Sequence, residues 1–248
     1  MSSSTFHTKA IILRAVAYGN TSLIVTAYTA MFGLQTYIVK GIRTSSKKQS
    51  SKASYFLVGN ILDVVVYHHT QKNIQFIKEY QFAFVPKNLQ QQVIKNAVVS
   101  VVIEIVLHTI KQTEANAELY HLLEQTIAFC DTATPTQTAN LPIAFCLQWS
   151  SLLGFGVDSQ YASTENVFDI KEGNFVANIP SHSYFVEGEL ASLISTINLI
   201  NSKDELDSIK LNKQVRKQLL DAMILFLQLH VEHFGNLKSI NVLVTILA

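Results

Sequence analysis

The chain has 248 residues, of which 48% are hydrophobic and only 15% are charged. This balance predicts a folded protein, because disordered chains combine few apolar residues with many charges. The length allows one large domain or two smaller ones. Its two cysteines, Cys130 and Cys146, are too few for a disulfide scaffold or a four-thiolate zinc site. They leave two alternatives, a single disulfide or two reduced, buried thiols.

The chain is expected to be soluble and cytoplasmic. The amino-terminal residues MSSSTFHTK lack the basic and apolar regions of a secretory signal. The most apolar stretch, residues 98–107, contains Glu104 and is half the length of about 20 residues that a membrane-spanning helix needs.

The formal net charge of +1 hides an uneven distribution. Residues 1–80 contain nine Lys and Arg against two acidic residues, a net +7, and residues 81–248 carry a net −6. Such asymmetry favours contact between the basic part and a polyanion such as nucleic acid, although small β domains are also basic by chance.

The basic part has the pattern of a small β barrel. Five short runs are rich in Ile, Val, Thr and Tyr, and the first three are separated by turns at Gly19–Asn20 and Phe32–Gly33. We predict strands over residues 9–16, 22–29, 34–40, 61–67 and 74–79. Five strands without intervening helices indicate an OB-fold, a five-stranded barrel that often binds single-stranded nucleic acid.

A basic segment, residues 41–54, lies between the third and fourth predicted strands. It contains Arg43, Lys47, Lys48 and Lys52, five serines and no acidic residue, so it cannot pack a core. We interpret it as a cationic loop suited to phosphate contacts, the alternative being an ordinary solvated loop.

From Pro86 onwards the pattern becomes helical. Asn88 is a candidate helix cap, and apolar spacing predicts helices over residues 88–108, 117–129, 141–153 and 211–234, with more helix from Glu189. Residues 135–140 are predicted to form a loop. Residues 157–188 are not helical and contain a predicted hairpin that turns at residues 172–174. The predicted fold class is therefore α+β, with a basic OB-fold over 1–80 and an acidic, mostly helical domain over 81–248.

The sequence shows no recognisable catalytic or metal site. It has no phosphate-binding glycine motif and no GxSxG elbow. His68 and His69 would point to opposite faces of a strand, and His230 and His233, three apart on a predicted helix, lack an evident third ligand. A helix C-terminus favours imidazolium and gives the simpler explanation for the latter pair. We expect neither an enzyme nor a bound metal.

Several short motifs lie near the two ends of the chain. Near the amino terminus the motifs are TKAIILR at 8–14, YGNTSLIV at 18–25, Gly33–Leu34 and KGIR at 40–43. Near the carboxyl terminus they are HFG at 233–235, LKS at 237–239 and Val242–Leu243. The order and spacing of these motifs resemble those of the bacterial DNA repair protein RecO family. The resemblance covers the whole chain in organisation and is most specific at its two ends.

This resemblance implies a recombination mediator with an OB-fold followed by a helical domain. Such a protein binds single- and double-stranded DNA and anneals complementary strands. It works with RecR, and in some species RecF, to load RecA onto DNA coated by single-stranded DNA-binding protein (SSB), whose acidic, hydrophobic tail it contacts. The resemblance also implies association with the nucleoid. The family's basic motif falls on Arg14, Lys40 and Arg43, whereas only basic character carries over to Lys47, Lys48 and Lys52.

The chain departs from the family in one respect. Many members have a four-cysteine zinc module in the place of residues 157–188, and this segment has no cysteine. We therefore expect no zinc or other cofactor, and we expect the hairpin to be held by strand pairing and by packing of Phe168, Ile170, Phe175 and Val176. Elemental analysis of the purified protein tests this expectation.

Two further groups of residues are candidates for binding. Tyr37 and Tyr18 could stack on bases, the alternative being strand packing. Lys213, Arg216 and Lys217 precede Leu219 and Leu220, a combination that suits an acidic, hydrophobic SSB tail but equally a solvated helix face. Two other functions stay open: an RNA-binding OB-fold protein, and a hydrolase or transferase that uses the helical half.

Overall fold

The computed structural model describes residues 5–42, 52–110, 114–158, 160–162 and 164–246. These residues form two compact units, Met1–Lys87 with Ile110–Ala128, and Asn88–Thr109 with Phe129–Ala248. The first unit therefore includes most of a helix near the middle of the chain. The predicted domain boundary after residue 80 does not group this helix with the barrel.

The first unit is a closed five-stranded barrel, as the sequence predicts. Its strands are β1 (Thr5–Tyr18), β2 (Ser22–Thr29), β3 (Gly33–Val39), β4 (Ile61–Tyr67) and β5 (Ile74–Phe84). They are arranged in the order β1-β2-β3-β5-β4, and β1 closes the barrel against β4. This is the strand order of an OB-fold.

Strand β1 is longer than predicted because it serves two partners. Residues 5–11 pair with β4 and residues 10–18 pair with β2, with a bulge between Ile12 and Arg14. A bulge inserts one extra residue and bends the strand, which allows one strand to close a small barrel. The bulge also shifts the alternation of side chains, so that Arg14 is exposed whereas Ile12 is buried.

The barrel core is made by alternate residues of all five strands. Val25, Tyr37, Leu62 and Val66 belong to it, and Phe56 of the short 3-10 helix Ser54–Phe56 plugs the cluster. On the outside, the first part of helix α2 (Ala117–Thr132) contributes Tyr120, whose ring stacks on that of Tyr28 at 6.2 Å.

The second unit is mainly helical. Its helices are α1 (Val93–Thr109), the end of α2, α3 (Pro135–Leu152), α4 (Glu189–Asn198), α5 (Lys213–His230) and α6 (Ser239–Ile246), with a 3-10 helix at Lys203–Asp207. This arrangement confirms the predicted α+β class.

Several predicted helix boundaries are wrong. Helix α1 begins at Val93, and Asn88 instead donates its side-chain amide to the backbone carbonyl of Asp131. Helix α3 begins at Pro135 rather than residue 141, because Thr134 and Gln137 form a reciprocal capping box and proline is tolerated in the first turn. The predicted long helix over 211–234 ends at His230, so His230 and His233 do not share a helix.

The predicted hairpin is present and belongs to a three-stranded sheet. Strands β6 (Val167–Asp169), β7 (Asn174–Val176) and β8 (Phe185–Glu187) pair in the order β7-β6-β8, and Gly173 turns the hairpin with φ +74°. Asp169 accepts the amides of Lys171 and Glu172 and lies 3.3 Å from His182. Phe168 and Phe175 are buried as predicted, so apolar packing and this buried carboxylate hold the segment.

Candidate nucleic-acid interface

Strand register places four apolar side chains side by side on the outside of the barrel. Val16 pairs with Ile24, Ile24 with Ile38, and Ile38 with Phe76. Their neighbours Val25, Tyr37 and Gln75 point inward and are buried, so alternation directs the four outward. Val16 is 44% exposed and the other three are half-buried. We call Val16, Ile24, Ile38 and Phe76 the apolar row.

Cationic side chains border this row. Arg14 is exposed two residues before Val16 on β1, and Lys40 is exposed directly after β3. The Lys40 ammonium lies over the Phe76 ring, 5.1 Å from its centroid, which is a cation–π contact. The amide of Ile42 donates to the carbonyl of Thr21, so the chain leaves β3 beside the β1–β2 turn.

The predicted basic segment lies only partly within the described residues. Lys52 is exposed just before the 3-10 helix at Ser54–Phe56. Arg43, Lys47 and Lys48 lie outside the described residues, so their contribution stays a prediction.

Two other cations of the barrel are paired with neighbouring carboxylates. Lys9 pairs with Glu124 of α2 at 2.9 Å, and Lys78 pairs with Glu79 at 3.1 Å. The hydrogen bond and charge of Glu124 raise the pKa of Lys9. These two pairs lower the effective positive charge of the barrel below the number of its Lys and Arg residues, whereas Arg14 and Lys40 are exposed beside the apolar row. No carboxylate opposes these two on β1, β2 or β3, because Asp63 is the first acidic residue of the chain.

The two tyrosines predicted as stacking candidates have opposite environments. Tyr37 is 0% exposed in the barrel core, and this burial raises the pKa of its phenol. Its predicted role in DNA binding is therefore wrong, because its position on β3 directs the ring inward. Tyr18 is 52% exposed at the end of β1, on the same face as Arg14 and Val16.

An open cleft of about 610 Å³ adjoins the apolar row on the same strands. It is lined by Thr26 and Thr36, by His68, His69 and Lys72 of the β4–β5 turn, and by Glu114. The His68 ring stacks on that of Phe32 with centroids 3.9 Å apart. Burial, together with the charge of His69, lowers the pKa of His68.

Sequence reasoning did not select Phe76, His68 or Lys72 as candidate interface residues. The alternation in residues 74–79 shows that Phe76 opposes Ile77, but it does not show which of them faces the core. That choice depends on pairing between β3 and β5, which are more than 30 residues apart in the chain.

A second candidate site lies wholly within the helical unit. Lys213, Arg216, Lys217 and Leu220 of α5 surround a small cleft of about 20 Å³, and Val244 of α6 closes it. The structure thus brings together the three predicted cations and two apolar side chains. We call this set the α5–α6 cleft.

The cations of the α5–α6 cleft differ in their partners. Arg216 donates to Asn140 Oδ1 at 3.2 Å and to the Leu211 carbonyl at 2.8 Å, both neutral groups, and burial lowers its pKa. Lys217 pairs with Asp221 at 2.5 Å. Lys213 is exposed at the start of the helix.

Within the described ranges, no group of three or more His, Cys, Asp or Glu is arranged to hold a metal ion. His230 hydrogen-bonds the Phe226 carbonyl at 2.8 Å and stacks on Phe155. Cys130 and Cys146 are separate, buried thiols, so of the two predicted alternatives the structure has reduced thiols and not a disulfide. No helix among the described residues is long and apolar enough to span a membrane.

Comparison with known proteins identifies the family. Residues 1–84 match the model for Recombination protein O N terminal, and residues 90–239 match that for Recombination protein O C terminal. DNA repair protein RecO of Christiangramia forsetii is 34% identical over 96% of this chain and 97% of its own length. The proteins of that name from Flavobacterium psychrophilum and Porphyromonas gingivalis are 31% identical (95% of this chain, 96% of theirs) and 23% identical (96% and 97%). With both halves matched and an OB-fold barrel in place, this chain belongs to the RecO family of DNA repair and recombination proteins.

Proposed function

We propose that this chain is a recombination mediator that binds single- and double-stranded DNA through its barrel and anneals complementary strands. The observation that carries the proposal is the composition and exposure of strands β1–β3 and the residue after them: Arg14 and Lys40 are exposed there, and the three strands contain no Asp or Glu. The exposed cations attract the phosphates of DNA, and each phosphate that they neutralise releases condensed counterions.

Annealing follows from the same electrostatics. Two complementary strands repel each other through their phosphates, and cations that neutralise both strands lower this repulsion. Binding of this kind is independent of sequence and weakens steeply with salt. It needs no catalytic residue, which agrees with a protein whose relatives are named for DNA repair.

We further propose that the α5–α6 cleft receives the acidic, hydrophobic tail of SSB. Lys213 and Arg216 would attract the acidic residues, while Leu220 and Val244 offer apolar contact. The cleft is small, so a peptide would lie across it and insert only the tip of one side chain. Contact with SSB would bring the protein to coated DNA, where with RecR, and with RecF where it is present, it would help to load RecA. We assign no binding surface to RecR, RecF or RecA.

Annealing of complementary oligonucleotides precoated with SSB tests the DNA proposal. The wild type should anneal them faster than buffer, and the triple variant Lys47/Lys48/Lys52→Ala should be slower. The matched control Lys171/Lys210/Lys238→Ala removes the same charge from the helical unit and should anneal like wild type. If wild type anneals no faster than buffer, the proposal fails.

Competition distinguishes DNA from RNA as the ligand. Single-stranded DNA and RNA of one sequence are titrated against a labelled single-stranded DNA complex. Stronger competition by RNA would favour the alternative of an RNA-binding OB-fold protein.

A further inference from the structure

We propose that Phe76 is a base-stacking residue for single-stranded DNA and that Lys40 covers its ring until DNA binds. When DNA binds, the Lys40 side chain would swing so that its ammonium leaves the Phe76 ring and contacts a phosphate. Phosphate binding would thus uncover the ring face on which a base stacks. This inference rests on the proposed DNA-binding function and adds which chemical part of DNA each residue recognises.

The first argument is the position of Phe76 within the apolar row. The row crosses four adjacent strands of the barrel, from Val16 on β1 to Phe76 on β5. Its side chains are half-buried or more exposed, and Ile74 beside them on β5 is 41% exposed. An apolar surface of this kind matches the faces of unstacked bases, which every nucleotide of a single strand presents.

The second argument is charge complementarity. Arg14 lies on the same face of β1 as Val16, and Lys40 lies at the end of β3 beside Phe76. Residues 1–62, which include all of β1–β3, contain no Asp or Glu. An acidic peptide would be attracted by these charges too, but a row of small aliphatic side chains next to an aromatic ring suits repeated flat bases spaced along a phosphate chain.

The third argument is the contact between Lys40 and Phe76. An ammonium 5.1 Å from the ring centroid occupies the face on which a base would stack. At a solvent-accessible site a cation–π contact is weak, whereas a phosphate offers a full negative charge. When DNA binds, movement of the Lys40 ammonium from the Phe76 ring to a phosphate is therefore favourable.

Duplex DNA should not use the apolar row. Its bases are stacked inside the helix, and its surface presents phosphates and groove edges. Duplex binding would depend on Arg14, Lys40 and the other cations, so the two DNA forms should respond differently to changes at Phe76.

The test compares two oligonucleotides of equal length, an oligo-dT and an abasic strand that keeps the phosphates and lacks the bases. Affinities are measured for wild type, Phe76→Leu and Lys40→Gln, with a duplex as the third ligand. Leucine retains the apolar volume and removes the aromatic face, and thermal melting verifies that each variant folds.

We expect wild type to bind oligo-dT more tightly than the abasic strand, and Phe76→Leu to weaken oligo-dT binding by about fivefold or more. Its binding to the abasic strand and the duplex should change less than twofold. Lys40→Gln should weaken binding to all three ligands, because it removes a phosphate contact, and it should reduce the salt dependence.

Equal weakening of oligo-dT and abasic binding by Phe76→Leu would overturn the inference, as would no effect on oligo-dT. If wild type binds oligo-dT and the abasic strand equally well, the stacking role fails while the DNA-binding proposal stands. If wild type binds none of the three ligands, both fail.

Discussion

The carboxylate of Glu104 on helix α1 caps helix α6 through Ser239. It accepts the hydroxyl of Ser239 at 2.5 Å and the amides of Ser239 and Lys238 at 2.8 and 2.9 Å. Residues 135 positions apart thus replace a local N-cap, because the first amides of a helix need acceptors. This contact anchors α6, which supplies Val244 to the α5–α6 cleft.

Replacement of Glu104 by Gln should lower the free energy of unfolding by about 1–3 kcal/mol, since a charged acceptor of three hydrogen bonds is lost. Burial alone would raise the pKa of Glu104, but the Ser239 and Lys238 hydrogen bonds outweigh it and the pKa is lowered. Stability from this group is therefore present above the unfolded value near 4.3 and is lost as pH falls through the folded pKa.

Urea unfolding at pH 7 and at pH 3 measures this effect. The difference between wild type and Glu104→Gln should shrink at the lower pH. Glu187→Gln, which changes an exposed carboxylate on β8, serves as the control. Equal stability of wild type and Glu104→Gln at pH 7 would contradict the assigned cap.

We expect the buried side chain of Lys95 to stabilise the folded protein. It is only 4% exposed, and its ammonium donates to the carbonyls of Asp131 and Ala133 at 2.8 and 2.9 Å. Lys95→Met leaves these buried acceptors without their donor and should destabilise the protein by about 2–4 kcal/mol. Thermal unfolding measures this loss, with Lys210→Met as an exposed control. A melting temperature within 1 °C of wild type, on the order of experimental error, would contradict the role.

Acid should destabilise the barrel through His68. Because burial and His69 lower its folded pKa, the unfolded chain takes up the proton first as pH falls below about 6.5. Stability from neutral His68 is thus complete above that pH and is lost as pH decreases towards the folded pKa. His68→Phe preserves the stack on Phe32, so its stability should fall less than that of wild type between pH 7.5 and 5.5. His7→Gln, at an exposed position of β1, should behave like wild type; an unaltered pH dependence in His68→Phe would refute the assignment.

Lys213 should contribute to SSB-tail binding without contributing to stability. It is exposed beside Leu220 in the α5–α6 cleft. Lys213→Ala should weaken binding of a fluorescent SSB-tail peptide by about two- to fivefold, the range of an exposed ion pair, with unchanged thermal unfolding. Lys210→Ala, at an exposed position that does not line the cleft, should leave the affinity unchanged. Equal affinities for wild type and Lys213→Ala would remove the support for this cleft.

Neither thiol should react in the native protein. Burial raises the pKa of Cys130 and Cys146 to about 12, so both are protonated near neutral pH, and the thiolate is the reactive form. A colorimetric thiol reagent at pH 8 should detect no rapid reaction in buffer and two thiols per chain in denaturant. Rapid native labelling of either residue would contradict its burial.

The local patterns of the sequence determined much of the fold. Alternating β-branched and aromatic runs predicted the five barrel strands, and the change in pattern after Pro86 predicted a helical half. The division of charge into +7 and −6 predicted that the barrel is the part that contacts a polyanion. These features depend on neighbouring residues, so they can be recognised without knowledge of the tertiary structure.

Only the tertiary structure decided which residues face outward and which charges are neutralised. Strand pairing buries Tyr37 and exposes the apolar row, and a one-residue shift would reverse both. Lys9 pairs with Glu124 across 115 positions of sequence, and Val244 of α6, the helix that Glu104 caps, lines one cleft with Lys213 of α5. Strand register, bulges and side-chain contacts between distant segments arise from closing the barrel and packing the helices, which no local pattern encodes.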